Sequence, residues 1–262
     1  MHSLVIVGGG RMGEALLGGL LAAGRQLAEV AVVEPDEGRR GTLGASFPGV
    51  TISGEPLQAD GVVLAVKPGS VAAAARAAGD AGCRRVLSIA AGITIATLEG
   101  ALGHGTAVVR AMPNTPALVG AGAAAIAGGS AATEADLAWA EEVLGAVGMV
   151  VRVEEALLDA VTGLSGSGPA YVFLVAEALI DAGVLVGLPR PVASALAVQT
   201  LLGSARLLAE GTEEPAALRA AVTSPGGTTA AGLAVLEDRA VRAAFLGAVQ
   251  AATERSRALG QT

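Results

Sequence analysis

The sequence predicts an α/β fold in two parts, a doubly wound parallel sheet followed by an all-α region. Short apolar runs, each typical of a buried parallel strand, alternate with helical segments through the first half of the chain. After Val153 the strand signals stop, and the later segments have helical character. We therefore predict one domain over residues 1–153 and a second, helical domain over residues 154–262.

The individual elements follow from apolar runs, helical periodicity and breaker residues. Strands are predicted at residues 4–7, 30–33, 50–52, 62–66, 86–89, 107–111 and 149–153. Helices are predicted at residues 12–23, 71–78, 95–102, 134–144, 170–182, 191–209, 215–221 and 240–258. Thr133 and Asp136 form a capping-box pattern, and Pro191 fits the first turn of its helix.

Composition narrows the class of protein. The 262 residues are 52% hydrophobic but only 2% aromatic, so the core is expected to pack through small aliphatic side chains. A net charge of -7 and the scarcity of base-stacking aromatics argue against a nucleic-acid partner.

The cysteine and histidine content and the apolar stretches indicate the cellular compartment and whether a metal is bound. Cys83 is the single cysteine, so no intrachain disulfide is possible and a cytoplasmic location is expected. His2 and His104 lie in no cluster with metal-ligand spacing, so no metal site is expected. The later apolar stretches are Ala/Gly-rich or interrupted by Glu177 and Asp181, so no membrane span is predicted.

A glycine-rich turn joins the first predicted strand to the first helix. Its sequence, GGGRMG over residues 8–13, fits the pattern GxGxxG in the required strand–turn–helix context. Gly8 would permit the tight turn, Gly10 the close approach of a pyrophosphate, and Gly13 close helix–strand packing. The pattern predicts a dinucleotide-binding Rossmann domain over residues 1–153. The predicted cofactor contacts in this turn are Gly8, Gly10, Arg11, Met12 and Gly13.

The end of the second predicted strand bears on which dinucleotide binds. Glu34 follows the last glycine by about 20 residues, where an acidic side chain accepts hydrogen bonds from the adenosine ribose and favours NAD. Arg39 and Arg40 follow closely, and a guanidinium there would instead hold the extra phosphate of NADP. The sequence leaves the choice between NADPH and NADH open.

Other strand ends are expected to line the same edge of the sheet, because parallel strands end together. Lys67 is the only lysine of the chain and precedes a proline at a strand end, so we predict a cofactor contact rather than a solvated loop lysine. Asn114 lies between Pro113 and Pro116, where a rigid loop would face the nicotinamide. The predicted contacts at this edge are Val66, Lys67, Pro68, Ala91 and Asn114.

A polar hexapeptide, SPGGTT at residues 224–229, interrupts two Ala-rich helical segments. Pro225 cannot continue a helix, and the two glycines after it free the backbone to turn. If a helix begins there, the amides of Gly227, Thr228 and Thr229 would point together and favour an anion. The alternative interpretation is an ordinary loop with a helix cap.

The motifs together resemble the pyrroline-5-carboxylate reductase family, the last enzyme of proline biosynthesis. The resemblance covers nearly the whole chain and rests on six segments: VGGGRMG (7–13), AVKP (65–68), SIAAG (88–92), RAMPNTP (110–116), VTGLSGSGPAY (161–171) and VTSPGGTT (222–229). It implies a Rossmann domain and a helical domain that intertwines with its partner in a homodimer, with higher assembly from dimers. It also implies that the 224–229 loop binds substrate at the dimer interface, facing the nicotinamide.

The resemblance further implies the reaction and its residues. A cyclic imine whose nitrogen already carries a proton needs no protein acid, so positioning is the expected source of catalysis. We predict that Thr229 hydrogen-bonds the ring nitrogen and that Ser224 orients the substrate. The predicted substrate contacts are Val222, Gly226, Gly227, Thr228 and Ser165.

Two positions depart from the family pattern. Where relatives often place Ser, Arg or Thr for a 2′-phosphate, this chain has Glu34-Pro35-Asp36, which argues against strict NADPH use. Where relatives often carry Asn near the adenosine ribose, this chain has Ile52-Ser53, so Ser53 is the predicted contact.

Other functions remain compatible with parts of the sequence. A related imine or 3-hydroxyacid dehydrogenase would share the two-domain plan, but the hydroxyacid type resembles a group with a catalytic lysine that the helical domain lacks. A nonenzymatic NAD(P)-binding regulatory protein would explain the glycine turn but not the 224–229 loop.

Overall fold

The structure, a computed structural model, describes residues 2–103 and 105–260. It contains two compact units: residues up to Ser167 together with those from Gln250 onward, and Gly168–Val249. This division differs from the predicted one at residue 153. Leu158 is fully buried in the core beside the sheet, and Ser256 Oγ donates to Asp159 Oδ1 at 2.6 Å. Residues 154–167 and the end of the last helix therefore pack with the first unit.

The first unit is built on one sheet of eight strands. In chain order the strands are β1 (His2–Val7), β2 (Val30–Val33), β3 (Thr51–Ser53), β4 (Ala59–Leu64), β5 (Arg85–Ser88), β6 (Ala107–Met112), β7 (Gly122–Gly128) and β8 (Gly148–Arg152). Their spatial order is β3-β2-β1-β4-β5-β6-β7-β8, and neighbours are parallel except β6 and β7. The chain reverses direction across the sheet between β1 and β4, which is where ligands bind in doubly wound folds.

Helices cover both faces of this sheet. The α-helices of the first unit are α1 (Arg11–Ala22), α2 (Glu37–Ser46), α3 (Val71–Asp80), α4 (Ile95–Leu102), α5 (Glu134–Gly145) and α6 (Leu158–Val161). One apolar core includes Leu16, Leu17 and Val143 from α1 and α5, and the other includes Val71 and Leu98 from α3 and α4. Because strand side chains alternate between faces, Leu4 and Ile6 enter the first core and Val5 the second. The predicted doubly wound α/β class is confirmed.

Local sequence explains where several helices begin. Asp36 caps α2 by accepting from the Arg39 amide at 2.7 Å, and Thr94 caps α4 by accepting from the Thr97 amide at 3.2 Å. At α5, Asp136 Oδ2 accepts from the Thr133 amide at 2.9 Å, so the predicted capping pattern is confirmed.

The second unit is all helical. It holds α7 (Gly168–Leu185), α8 (Arg190–Glu210), α9 (Pro215–Ala221) and α10 (Thr228–Asp238), and α11 (Val241–Gly260) begins in it. Gly183 on α7 packs so closely on α8 that a Cβ there would lie 2.9 Å from the Ala193 Cβ. Only Ala193 and Ala197 are buried in this unit, whereas large apolar side chains such as Phe173 and Leu246 are exposed. A helical layer with so little buried apolar surface needs a partner.

Two helical stretches have the length and composition of membrane spans, although no membrane span was predicted. They are Glu155–Leu185 and Arg190–Glu210, with mean hydropathies of 1.5 and 1.4. Their apolar side chains are mostly exposed in the single chain. The same exposure is expected of helices that pair with a second protein chain.

Candidate functional site

The glycine turn lies where the sheet changes direction. Gly8 follows β1 with φ of +105°, and its amide donates to the Val33 carbonyl at 2.8 Å. A Cβ at Gly8 would lie 2.5 Å from the Ala65 carbonyl oxygen, and one at Gly13 would lie 2.0 Å from the Gly8 oxygen. Only glycine fits at these two positions, because the backbones of β1, α1 and the β4 end meet there.

Gly10 differs from Gly8 and Gly13 because no protein atom crowds the place of its missing side chain. It precedes α1 as the N-cap residue, is exposed, and has no atom within 4 Å of where a Cβ would lie. The missing side chain therefore leaves room for a ligand rather than for protein packing. At the N-terminus of a twelve-residue helix this opening suits a pyrophosphate, so the chain has the cradle that a dinucleotide needs.

Glu34 is tied to the same turn. Its Oε2 accepts from the Gly9 amide at 2.8 Å, and its Oε1 accepts from the Asp36 amide at 3.0 Å. The carboxylate thus lies at the carboxyl end of β2, directly beside the glycine turn. Each oxygen keeps a second lone pair, with which it can accept from a ribose hydroxyl.

The two arginines of the β2–α2 turn are held by the protein. Arg39 Nε donates to the Gly9 carbonyl at 2.5 Å, and its Nη2 pairs with Glu14 on α1 at 2.5 Å. Arg40 Nη1 donates to the carbonyls of Glu34 and Pro35, at 3.0 and 2.7 Å. Glu14 was not predicted as part of this site, and nothing in its spacing along α1 sets it apart from a solvated helix carboxylate.

Ser53 ends β3 next to Glu34, but its hydroxyl is already used. It donates to the Glu55 carbonyl at 2.8 Å and accepts from the Glu55 amide at 3.0 Å. The ribose contact predicted for Ser53 therefore has to compete with this local turn.

The remaining predicted cofactor contacts of the first unit lie along the same edge. Val66 is half-buried beside Gly8, and Lys67 and Pro68 are exposed after β4. Pro68 and Ala91 also line a cavity of about 480 Å³ whose other wall is the end of α11, including Arg255. The edge predicted to receive the nicotinamide is thus bordered by protein on a second side.

Asn114 has both ends of its carboxamide engaged within the chain. Its Nδ2 donates to the Ser165 carbonyl at 3.0 Å, and its Oδ1 accepts from the Ala123 amide at 2.8 Å. These bonds join the loop after β6 to the start of β7 and to a π-helical turn over Thr162–Gly166. Asn114 therefore fixes this loop in place, and the nicotinamide contact predicted from its sequence context stays a prediction.

The π-helical turn lies within the family segment at residues 161–171 and carries Ser165, a predicted substrate contact. Its hydroxyls bond backwards along the chain, with Thr162 donating to the Leu158 carbonyl at 2.8 Å and Ser165 to the Val161 carbonyl at 3.1 Å. π-Helical turns occur often at functional sites. No periodic sequence pattern identified this one in advance. The Ser165 hydroxyl oxygen still has acceptor capacity for a ligand.

A part-buried ion pair between Arg110 and Glu155 was not predicted. Arg110 on β6 is 8% exposed, and its Nη1 donates to Glu155 Oε1 at 2.9 Å. The same oxygen accepts from the Ile95 amide at 2.7 Å, at the start of α4. Glu155 therefore links its own segment to β6 and to the start of α4. These partners are far from Glu155 in sequence.

The second unit carries the 224–229 loop. Ser224, Pro225, Gly226 and Gly227 form a β-turn in which the Gly227 amide donates to the Ser224 carbonyl at 3.0 Å. Gly226 has φ of +68°, as the third position of a type II turn requires. Gly227 then serves as the N-cap of α10, which begins at Thr228.

This geometry corrects the prediction for the Gly227 amide, which is spent on the turn and does not point outward. The first amides of α10 begin instead at Thr228 and Thr229, and helix-initial amides have no partner within their own helix. Both threonines and Ser224 are exposed, as is Val222 at the end of α9. The loop therefore presents hydroxyls and helix-initial amides at one helix N-terminus, which favours an anion.

Burial raises the pKa of the Cys83 thiol to about 11, so this cysteine is protonated at neutral pH. Within residues 2–103 and 105–260, no three His, Cys, Asp or Glu side chains come together as a metal site would require. His104 lies outside these residues.

Comparison with known families covers both parts of the chain. Residues 155–259 match the family described as pyrroline-5-carboxylate reductase dimerisation, and residues 3–92 match the family described as NADP oxidoreductase, coenzyme F420-dependent. The dimerisation family includes both helical stretches that have membrane-like composition.

Whole-length relatives agree with these families. A pyrroline-5-carboxylate reductase from Synechocystis is 48% identical over 265 residues, covering 98% of each chain. A solved pyrroline-5-carboxylate reductase from Coxiella burnetii has a TM-score of 0.94 at 36% identity, covering 100% of this chain and 99% of that one. A Plasmodium falciparum enzyme solved with NADP bound has a TM-score of 0.86 at 30% identity, covering 99% and 98%. The glycine turn, the 224–229 loop and these full-length matches together show that the chain belongs to the pyrroline-5-carboxylate reductase family.

Proposed function

We propose that this chain reduces 1-pyrroline-5-carboxylate to L-proline with NADH or NADPH, the last step of proline biosynthesis. The observation that carries the proposal is the 48% identity over the whole chain to a reductase of that name, with the glycine turn and the 224–229 loop both present. A bound nicotinamide cofactor supplies the hydride that the imine carbon accepts.

The first unit holds the cofactor in this proposal. Gly10 leaves the opening for the pyrophosphate at the start of α1, and Gly8 and Gly13 let the backbones meet around it. Val66, Lys67, Pro68 and Ala91 follow the strands of the same edge, and they are assigned to the cofactor from that position. Lys67 adds a positive charge beside the phosphates.

The loop of the second unit holds the substrate in this proposal. The amides of Thr228 and Thr229 and the N-terminus of α10 bind the substrate carboxylate. The Thr229 hydroxyl hydrogen-bonds the ring nitrogen, which already carries the proton that makes the imine electrophilic, and Ser224 orients the ring. Proton donation by a protein acid is unnecessary, which fits a loop without His or Lys.

The dimerisation family explains the exposed apolar helices, so the chain forms a homodimer. We propose in addition that dimers assemble further, that the enzyme is cytoplasmic, and that it binds neither membranes nor nucleic acids. The net charge of -7 supports the last point.

The test is the initial rate of NADH and NADPH oxidation by the purified protein, with and without pyrroline-5-carboxylate. We expect oxidation that depends on the imine, with proline as the product by mass spectrometry. A 3-oxoacid and an acyclic imine serve as alternative substrates, because each can accept a hydride from the reduced cofactor. Folded, dimeric protein that oxidises neither cofactor with the imine would overturn the proposal.

A further inference from the structure

We propose that this enzyme selects NADH over NADPH, and that Glu34 and Asp36 make the selection. The inference rests on the proposed cofactor site at the glycine turn and concerns the part of that site where the two cofactors differ. NADPH carries a phosphate on the 2′-oxygen of its adenosine ribose, and NADH carries a hydroxyl there.

Glu34 occupies the position at which doubly wound folds read this ribose. Its carboxylate lies at the end of β2 and is fixed by the amides of Gly9 and Asp36, at 2.8 and 3.0 Å. A carboxylate fixed there accepts from a ribose hydroxyl, whereas a phosphate would bring one to two further negative charges against it. Because Glu34 also holds the glycine turn, it cannot turn away without releasing the Gly9 amide.

Asp36 closes the other place where a phosphate would bind. The N-terminus of α2 is the natural anion site after β2, since its first amides point outward. In this chain the Asp36 Oδ1 accepts from the Arg39 amide at 2.7 Å, so the protein's own carboxylate caps the helix.

The arginines do not offset these carboxylates in favour of a phosphate. Arg39 is half-buried between the Gly9 carbonyl and Glu14, and that ion pair neutralises its charge. Arg40 is folded back onto the carbonyls of Glu34 and Pro35 and lies close to Gly54. To reach a 2′-phosphate, Arg40 would have to give up two hydrogen bonds that hold the turn.

The test separates nucleotide recognition from turnover by using ADP-ribose and 2′-phospho-ADP-ribose, which differ by one phosphate and carry no hydride. Their dissociation constants are measured by isothermal titration calorimetry on the full-length protein. We expect ADP-ribose to bind at least about ten-fold more tightly, the effect of one like-charge contact near a protein surface. Equal binding, or tighter binding of the phosphorylated ligand, would overturn the proposal.

Variants then assign the selection to its residues. Glu34→Gln keeps an oxygen for the Gly9 amide and removes the charge, so the preference for ADP-ribose should fall by about ten-fold. The matched control Glu37→Gln removes a charge from the same turn without touching Glu34 and should leave the ratio within about two-fold. If Glu37→Gln changes the ratio as much as Glu34→Gln, the effect is general electrostatics and Glu34 is not the selector.

Arg40→Gln tests the competing assignment. Our proposal expects it to leave the ratio of the two constants unchanged, because Arg40 contacts the backbone of its own turn. A selective loss of 2′-phospho-ADP-ribose binding would show that Arg40 holds the phosphate. If neither ligand binds the unmodified protein, the result counts against the cofactor site itself. Imine-dependent oxidation of NADH or NADPH tests that site separately.

Discussion

Asn114 Nδ2 donates to the Ser165 carbonyl at 3.0 Å, so one carboxamide fastens the loop after β6 to the π-helical turn. Its other end accepts from the Ala123 amide at 2.8 Å. The same residue type would suit a nicotinamide contact, but here both of these atoms already have partners in the protein.

Replacing Asn114 with Ala should therefore lower the free energy of unfolding more than it lowers cofactor affinity. The Ala123 amide and the Ser165 carbonyl would lose their partner, at a cost of about 1–3 kcal/mol in the free energy of unfolding. Urea unfolding measures this cost, with Thr115→Ala at the exposed neighbouring position as the control. A variant of unchanged stability that binds NADH much more weakly would support the predicted nicotinamide contact of Asn114 instead.

Gly10 and Gly13 should respond in opposite ways to alanine. Gly10→Ala fills open space, so its melting temperature should stay near that of the unmodified protein while dinucleotide affinity falls by about ten-fold or more. Gly13→Ala pushes a Cβ toward the Gly8 oxygen and should lower the melting temperature by several degrees. Thermal unfolding and calorimetric titration are measured on both variants. Normal affinity in Gly10→Ala would mean that no pyrophosphate comes close to this residue.

Thr229→Val removes a hydroxyl and keeps the side-chain shape. If Thr229 bonds the charged ring nitrogen, kcat/KM for the imine should fall by about ten- to one-hundred-fold while dinucleotide affinity stays unchanged. Thr223→Val is the control, since the Thr223 hydroxyl donates to the Arg219 carbonyl at 2.6 Å and has no assigned role in the reaction. Equal turnover by Thr229→Val and the unmodified enzyme would remove Thr229 from the mechanism.

The stability of the protein should rise with its concentration. Exposed side chains of the second unit, such as Phe173 and Leu246, become buried only when a partner covers them, so association and folding are linked. We expect the melting temperature to increase over a hundred-fold range of concentration, and sedimentation to show dimers or larger species. Leu185→Lys, at a position 86% exposed in the single chain, probes whether that surface is covered. A concentration-independent melting temperature for a monomer would contradict this prediction.

Cys83 should resist thiol reagents until the first unit unfolds. Its pKa is raised from about 9 in the unfolded chain to about 11 by burial, so the neutral thiol is favoured in the folded state. The stabilisation that comes from burying the neutral thiol is fully present below pH 9. It is lost as the pH rises from 9 toward 11, because the thiol ionises first in the unfolded chain. Labelling at pH 8 should be slow in buffer and fast in guanidinium. Rapid labelling of the folded protein would show that the thiol is accessible.

Sequence pattern predicted most of the first unit because its strands are continuous apolar runs. The seven-residue β7, GAAAIAG, was missed, since its Ala and Gly residues give no strand pattern and its state depends on pairing with β6 and β8. Helix α2 was missed because EGRRGTLGAS has three glycines and little apolar character, whereas its cap at Asp36 and the burial of Leu43 stabilise it.

The candidate site was predicted where a backbone requirement selects the residue type. Gly8 and Gly13 could be assigned from spacing alone because any side chain would collide with the backbone. Partners that are distant in sequence could not be assigned, such as Glu14 for Arg39 or Ser165 for Asn114. The Gly227 amide was predicted to bind an anion, but it donates to the Ser224 carbonyl in the turn that precedes α10.

Lys67 is the only lysine in the sequence, and it is exposed at the edge assigned to the cofactor. Amine-directed reagents will therefore find a single side-chain target, beside the site of interest rather than scattered over the surface. Acylation of that amine, located by peptide mass mapping, becomes a footprint of cofactor occupancy that needs no engineered label. By the same chemistry, lysine-based surface attachment will hold every molecule by this edge and mask it, so immobilisation should use another handle.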